Sequence, residues 1–291
     1  MTDGLRDIRE LTDDPEAYRA ELERRWTGLL SYRYIGRNHS SMNLGPEDNT
    51  VRVRRDMRNE SGGLMVAPLA IAAPEGGQTD LVAVPNPVIA SVQIIDPGRD
   101  VETIEVLGSG SIHQGRTMGY GRCLIVDAQD HDRVLAFNEG QGASIGTPPE
   151  GLQRMDVSDS TLVIEDSPDL PPLWQVFGAS KRDDGHWVLG ELRTELASPD
   201  AALHLGPQHV VLETAAVDLA AQAVGTRMLQ VRSWHVMFVA RGKTGPFRVD
   251  GQAYRAGESD GQGTVGVRML LHDEGNGDRI ITSAAALLQL V

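Results

Sequence analysis

Hydrophobic and polar positions change period several times along this chain. Between Asp14 and Leu30, the residues Tyr18, Leu22, Trp26, Leu29 and Leu30 recur at three- and four-residue steps, the period of one helix face. Asp14 followed by Pro15 supplies an N-cap and a proline at the first helical position, so a helix is predicted over 14–30, packed on the body of the protein. From 50 to 70 a charged strand, Val51-Arg-Val-Arg-Arg55, leads through a glycine-marked turn into a short apolar helix. Strand-like segments follow at 88–95, 100–109, 118–127 and 134–137, separated by Gly, Pro and Asp turns. A Pro- and Asp-rich stretch then reads as a connector over 147–185. Beyond it the order repeats, with a small-residue helix from about His209 to Val224 and strands near 228–240, 247–254, 264–272 and 280–290.

The repeat can be checked by offset. Ser61 pairs with His209 at a shift of 148, and Gly115 with Gly261, Asp127 with Asp273 and Val134 with Ile280 at a shift of 146. A nearly constant shift over four markers points to one unit used twice: residues 1–146 with the leading helix, and residues 186–291. Each unit is a helix followed by an antiparallel meander of about four strands. A helix covering one face of such a sheet makes an α+β layer, and two units side by side would pair their sheets and hide edge strands.

The second-unit helix carries one acid, Asp218, inside an otherwise apolar run. Desolvation raises a carboxyl pKa and makes ionisation costly, and catalytic acids and bases sit at such positions. The competing reading is an acid on a half-exposed face, or one paired with an arginine.

Composition narrows the partners. A net charge of −14 opposes nucleic acid and anionic membrane surfaces, both of which are held by Lys and Arg. With 4% aromatic residues, base-stacking platforms are not expected. The single cysteine, Cys123, fits a reducing compartment. The charged start lacks the apolar core of a secretory signal, and no run reaches a membrane span. A cytoplasmic protein is therefore expected.

Two motifs carry a resemblance. Asn59-Glu60-Ser61-Gly62-Gly63 precedes the first helix, and His209 stands nine residues before Asp218. Together they resemble hotdog-fold acyl-CoA thioesterases, closest to the phenylacetate-pathway and 4-hydroxybenzoyl-CoA type. In those proteins Asn-Pro-x-Gly-x-x-His-Gly-Gly leads a helix with an Asp or Glu nine residues after the His. The resemblance covers most of 50–146 and 186–291. It implies an α+β double hotdog in which two antiparallel sheets each wrap a central helix. It also implies hydrolysis of an acyl-CoA thioester, with coenzyme A part of the substrate and no separate cofactor, and further pairing of chains into homodimers or higher homo-oligomers.

The two halves depart from the family pattern in complementary ways. The first keeps Gly62-Gly63 but has Ala70 at the acid position; the second keeps His209 and Asp218 but has Val210-Val211 where the family has Gly-Gly. The resemblance assigns Asp218 as general base or nucleophile and the N–H of Val210 as oxyanion donor at a helix N-terminus. Gln222, one turn beyond Asp218, would place the attacking water. His209 holds the loop or takes a minor acid–base part, and Val211, Gly62 and Gly63 line the substrate. Arg58, in a basic run with Arg52, Arg54 and Arg55, and Arg116 are the candidates for coenzyme A phosphates. For that run, one solvated face of a strand is the plainer reading, and Glu213 is expected to be solvated.

Two rival functions stand beside the thioesterase. A hotdog hydratase would carry Asp-x-Asn-Pro-x-His, which is absent. A non-catalytic acyl-CoA- or lipid-binding protein or scaffold is favoured by Val210-Val211 and opposed by the survival of Asp218. No metal is expected, because His204 and His209 have no acid or cysteine at ligand spacing. The sequence also lacks a dinucleotide or phosphate-binding glycine loop and a Gly-x-Ser-x-Gly elbow.

Overall fold

The computed structural model describes residues 5–36, 49–73, 84–152, 161–255 and 263–291. Helix α1 (Pro15–Gly28) starts where the capping pattern puts it, with the Asp14 side chain accepting from the Ala17 N–H at 3.0 Å. It buries Tyr18, Leu22 and Trp26. Leu29 then breaks the helix and α2 (Leu30–Ile35) follows.

The charged segment at 51–55 is only partly a strand. Strand β1 (Thr50–Arg52) is short, and a single turn of 3₁₀-helix covers Arg55–Met57. Arg54 is buried in a pair with Asp56, at 3.1 Å, and lies over the Tyr34 ring. The solvated-face reading therefore fails at Arg54, while Arg52 and Arg55 are exposed.

Helix α3 (Val66–Ala72) is followed by β2 (Val84–Ile94), β3 (Thr103–Gln114), β4 (Gly119–Asp127) and β5 (Asp130–Ile145). Then come α4 (Leu173–Val176), β6 (Ala179–Lys181) and β7 (Trp187–Leu189), and a small hairpin of β8 (Ala197–Ser198) and β9 (Ala202–Leu203). The long helix α5 (Leu205–Val224) precedes β10 (Leu229–Phe238), β11 (Phe247–Arg255), β12 (Thr264–Asp273) and β13 (Arg279–Leu290). The segment read as a connector thus carries α4 and β6, and the β6–β7 hairpin extends the second unit through β7–β11 pairing.

The main sheet runs β1-β3-β4-β5-β2-β10-β13-β12-β11-β7-β6. Its middle contains the same four-strand order twice, β3-β4-β5-β2 and the reverse β10-β13-β12-β11, so the repeat is a structural one. The marker Gly261 lies outside the described residues. The chain has the double hotdog fold, with the two sheets joined edge to edge where β2 meets β10, from Ile89↔Met237 to Gln93↔Ser233.

Burial alternates along the strands with period two, as in β4, where Tyr120, Arg122 and Leu124 are exposed between buried neighbours. The inward set packs on the helices. Helix α5 lies across the second unit against β11 and β12, and α3 packs on α5. Gly206, in the first turn of α5, is required by close approach: a Cβ there would overlap the Ser31 side chain on α2. Among the described residues no helix is long and apolar enough to cross a membrane.

Candidate functional site

Asp218 and Gln222 are one turn apart and share a face of α5. The buried run of the helix extends to Ala216, and residues 217–219 are half-buried as α5 leaves the core. The Asp218 side chain is 16% exposed. The β6–β7 hairpin faces it with two donors: Lys181 Nζ reaches Oδ2 at 2.6 Å and Trp187 Nε1 the same oxygen at 3.4 Å. Gln222 Nε2 donates to Oδ2 at 3.1 Å, and Arg227, just after the helix, donates through Nη1 to Oδ1 at 3.2 Å.

Burial works to raise the Asp218 carboxyl, but the hydrogen bonds and charges of Lys181, Trp187 and Arg227 outweigh it and hold the group below the usual carboxylate range. The expected buried acid is therefore a paired, ionised carboxylate. Arg227 also donates to Glu60, which sits in the loop ahead of α3. Asp218 thus lies at the seam between the units, one arginine away from the Asn59–Gly63 segment.

That segment is locked by its own polar groups. Asn59 Oδ1 accepts from the Ser61 N–H at 2.9 Å, the Ser61 hydroxyl at 2.7 Å and the Gly63 N–H at 3.2 Å. The amides of Gly62, Leu64 and Met65 donate to the carbonyls of Asn59, Pro97 and Met57. Gln230 of β10 donates to the Leu64 carbonyl and accepts from Asn59 Nδ2. It packs so closely that a Cβ at position 63 would overlap it. Arg58 spends its guanidinium on the Gly62 and Gly98 carbonyls, both at 2.9 Å, and on the Val101 carbonyl at 2.5 Å. It clamps the loop, and that disfavours the phosphate role. Arg116 is exposed in the β3–β4 hairpin of the first unit, and the structure does not bring it to Asp218.

Two further expectations are corrected. Helix α5 begins at Leu205, capped by His204, and not at His209. Val210 and Val211 are therefore in its second turn, fully buried, with their N–H groups committed to the helix ladder, and neither can be an oxyanion donor. Glu213 is 1% exposed and not solvated. Its two oxygens accept from the Val66 and Ala67 amides at 2.7 Å each, so it caps α3 from α5. Burial pushes its carboxyl up to about 7 against the downward pull of those two amides.

His209 lies away from Asp218, on the opposite reach of α5. Its Nδ1 accepts from Trp234 Nε1 at 3.1 Å, and burial lowers its pKa to about 3. It borders a small pocket of about 20 Å³, partly open to solvent, that also touches Ala70 and Asn138. The pocket is lined from both halves and is separate from Asp218.

Lys181, Trp187, Arg227, Glu213 and Asn138 were missed as site residues. Lys181 left a signal: it is one of two lysines in the chain, with Lys243. The others become visible only when α5, the β6–β7 hairpin and α3 are brought together.

No protein-family model matches the chain, and no curated protein matches it in sequence. Solved structures do resemble it. The tesB protein of Mycobacterium avium subs paratuberculosis is 11% identical with a TM-score of 0.55, covering 87% of this chain and 97% of that one. The acyl-CoA thioesterase II TesB2 from Mycobacterium marinum is 13% identical with a TM-score of 0.55, covering 86% and 96%. A conserved protein of unknown function with a hot dog fold from Alicyclobacillus acidocaldarius is 10% identical with a TM-score of 0.53, covering 87% and 97%. At such identities the likeness establishes the hotdog fold over most of the chain.

Proposed function

We propose that the protein hydrolyses an acyl-CoA thioester, with Asp218 as the base that takes a proton from the attacking water. The observation that carries this reading is the pairing of an ionised Asp218 with Gln222 at the seam between the units, flanked by Lys181 and Arg227. In the reaction the water oxygen bonds to the thioester carbon, the C–S bond breaks, and the thiolate leaves and takes up a proton. Lys181 and Arg227 are the cations available to polarise the carbonyl oxygen, a role taken from the amide of Val210 by the position of the helix start. Coenzyme A enters as part of the substrate, and no further cofactor is needed for this step. The names borne by two of the resembling structures fit the reading.

Thiol release from short, medium, long and aryl acyl-CoAs tests it. Turnover on one class is expected, and Asp218→Asn lowers kcat by about 10²-fold or more, the scale of a lost general base. Absence of release above background on every class overturns it. One observation favours a second, non-catalytic reading. The amides of residues 61–67 already serve protein acceptors, and Asp218 is already bonded to four donors. On that reading calorimetry would detect acyl-CoA binding without turnover.

A further inference from the structure

The face of the main sheet turned away from α3 and α5 runs across seven strands, β4-β5-β2-β10-β13-β12-β11, with β10 in the middle. Residues paired directly across strands share a face, so the register lines the outward side chains up in rows. The central row runs from Glu139 on β5 through Ser91 and His235 to Arg268 on β12. The rows beside it are largely apolar. Leu124, Leu287 and Tyr254 stand in one, and Ile89, Met237 and Leu270 in the other. Leu124, Leu287, Tyr254 and Met237 are 42%, 49%, 48% and 40% exposed. A sheet with one face on the core ordinarily turns polar side chains to water, and a contiguous apolar patch marks a place of interaction.

One position on this face is bare. Gly266 lies within β12, between Leu287 of β13 and Tyr254 of β11. A Cβ there would meet Leu287 Cδ2 at 3.7 Å and the Tyr254 carbonyl oxygen at 3.9 Å, both ordinary contacts. Nothing inside the chain demands a glycine here, and a glycine in a strand interior weakens the strand and marks the close approach of another group. In the same row, the half-buried ring of Phe137 on β5 stands as far from β10 on the other side. The charges of the central row are placed likewise: Glu139 and Arg268 lie two strands either side of His235. Both are exposed, and among the described residues no ion pair engages either.

We propose that a second copy of the chain docks on this face, related to the first by a two-fold axis running along β10. That axis lays β5 of each copy over β12 of the other and β4 over β11, so every contact occurs twice. Phe137 enters the gap above the partner's Gly266, and Glu139 faces the partner's Arg268. Leu124 meets the partner's Tyr254. Seven strands about 4.8 Å apart and three rows of side chains about 6.8 Å apart cover roughly 700 Å² of each copy. The two together, roughly 1,400 Å², fall in the range of about 1,200–2,000 Å² for a specific, stable interface. The charges on the face balance, Arg122 and Arg268 against Glu139 and Asp250, whereas the whole chain carries −14. Copies repel over the rest of their surface, so a balanced, self-complementary patch selects a second copy over a strongly charged partner.

Sedimentation equilibrium of the full chain, up to about 100 μM, tests this, and a dimer is expected. Gly266→Phe fills the gap and is expected to weaken the dimer about tenfold or more, with circular dichroism reporting an unchanged fold. Glu139→Arg and Arg268→Glu, made singly, set like charges opposite each other across the interface and are each expected to weaken it about tenfold. Combined in one chain they are expected to restore the dimer to within about threefold of the parent. Within one copy the two positions are four strands, or about 19 Å, apart, so only pairing between copies gives that rescue. A parent chain that stays monomeric at about 100 μM overturns the proposal. So does a dimer that none of the three single changes weakens, or a double reversal that binds no more tightly than the single ones. The parent measurement decides even where a variant fails to fold.

Discussion

Replacing Glu213 by Gln tilts the pH dependence of stability between pH 4.5 and 6.5. Glu213 and His209 are both fully buried on α5, and their shifts oppose each other. Burial raises Glu213 from 4.5 to about 7 and lowers His209 from 6.5 to about 3. For Glu213 the folded pKa lies above the unfolded one, so its contribution is complete below pH 4.5 and is lost as pH rises towards 7. For His209 the folded pKa lies below, so its contribution is complete above pH 6.5 and is lost as pH falls towards 3. Inside the window the unfolded chain carries an ionised Glu and a protonated His, while the folded chain carries the reverse. Each state binds one proton across the pair, so the two slopes cancel. Glu213→Gln removes one of them. Relative to the parent, the variant should then gain stability with rising pH, by about 2 kcal/mol in all from pH 4.5 to 6.5. His209→Gln should show the opposite tilt. Urea unfolding followed by tryptophan fluorescence at half-unit pH steps gives the difference directly, with other titrating groups common to both proteins. A Glu213→Gln curve parallel to the parent across the window would refute the reasoning, because Glu213 would then be ionised in the fold.

Two further outcomes follow from the site. Lys181→Ala removes the 2.6 Å donor to Asp218, so the carboxyl rises towards its ordinary value and the acid limb of the kcat–pH profile moves to higher pH; an unmoved limb separates Lys181 from the base. Gly63→Ala drives a Cβ into Gln230 and is expected to cost about 1–3 kcal/mol in denaturant titrations. The double variant with Gln230→Ala should lose less than the two single variants added together.

Periodic and local signals in the sequence translate well into structure. The α1 start is set by Asp14 and Pro15, and each of the eight long strands overlaps a segment marked by alternation and turns, because both depend on neighbours a few residues apart; β5, read only over 134–137, runs over Asp130–Ile145. The start of α5 was misread because His204 acts as the cap, with Nδ1 accepting from the Gly206 N–H at 3.3 Å, and histidine carries no strong capping signal. Asp218 is identifiable as an unusual acid, but its state is set by Lys181 and Arg227, which come from the β6–β7 hairpin and the loop ahead of β10. Glu213 was read as solvated because nothing near it in sequence shows that α3 presents two amides to it. Pairing across elements decides charge state, and no spacing rule reports it.

The junction of β2 and β10 bears on how the chain is made. Ser91 and His235, paired there, are 144 residues apart. As the chain emerges from the ribosome, the first unit can assemble β2 to β5 while the far edge of β2 stays bare until residues 229–238 arrive. Such an edge is a template for another nascent chain, and a closure of this span is slow. The bare stretch that β10 will cover is short, Ile89 to Gln93, and Pro87 before it offers no N–H to an intruder. Soluble yield should therefore depend on how promptly the second half is delivered, with swapping of halves between chains as the competing outcome.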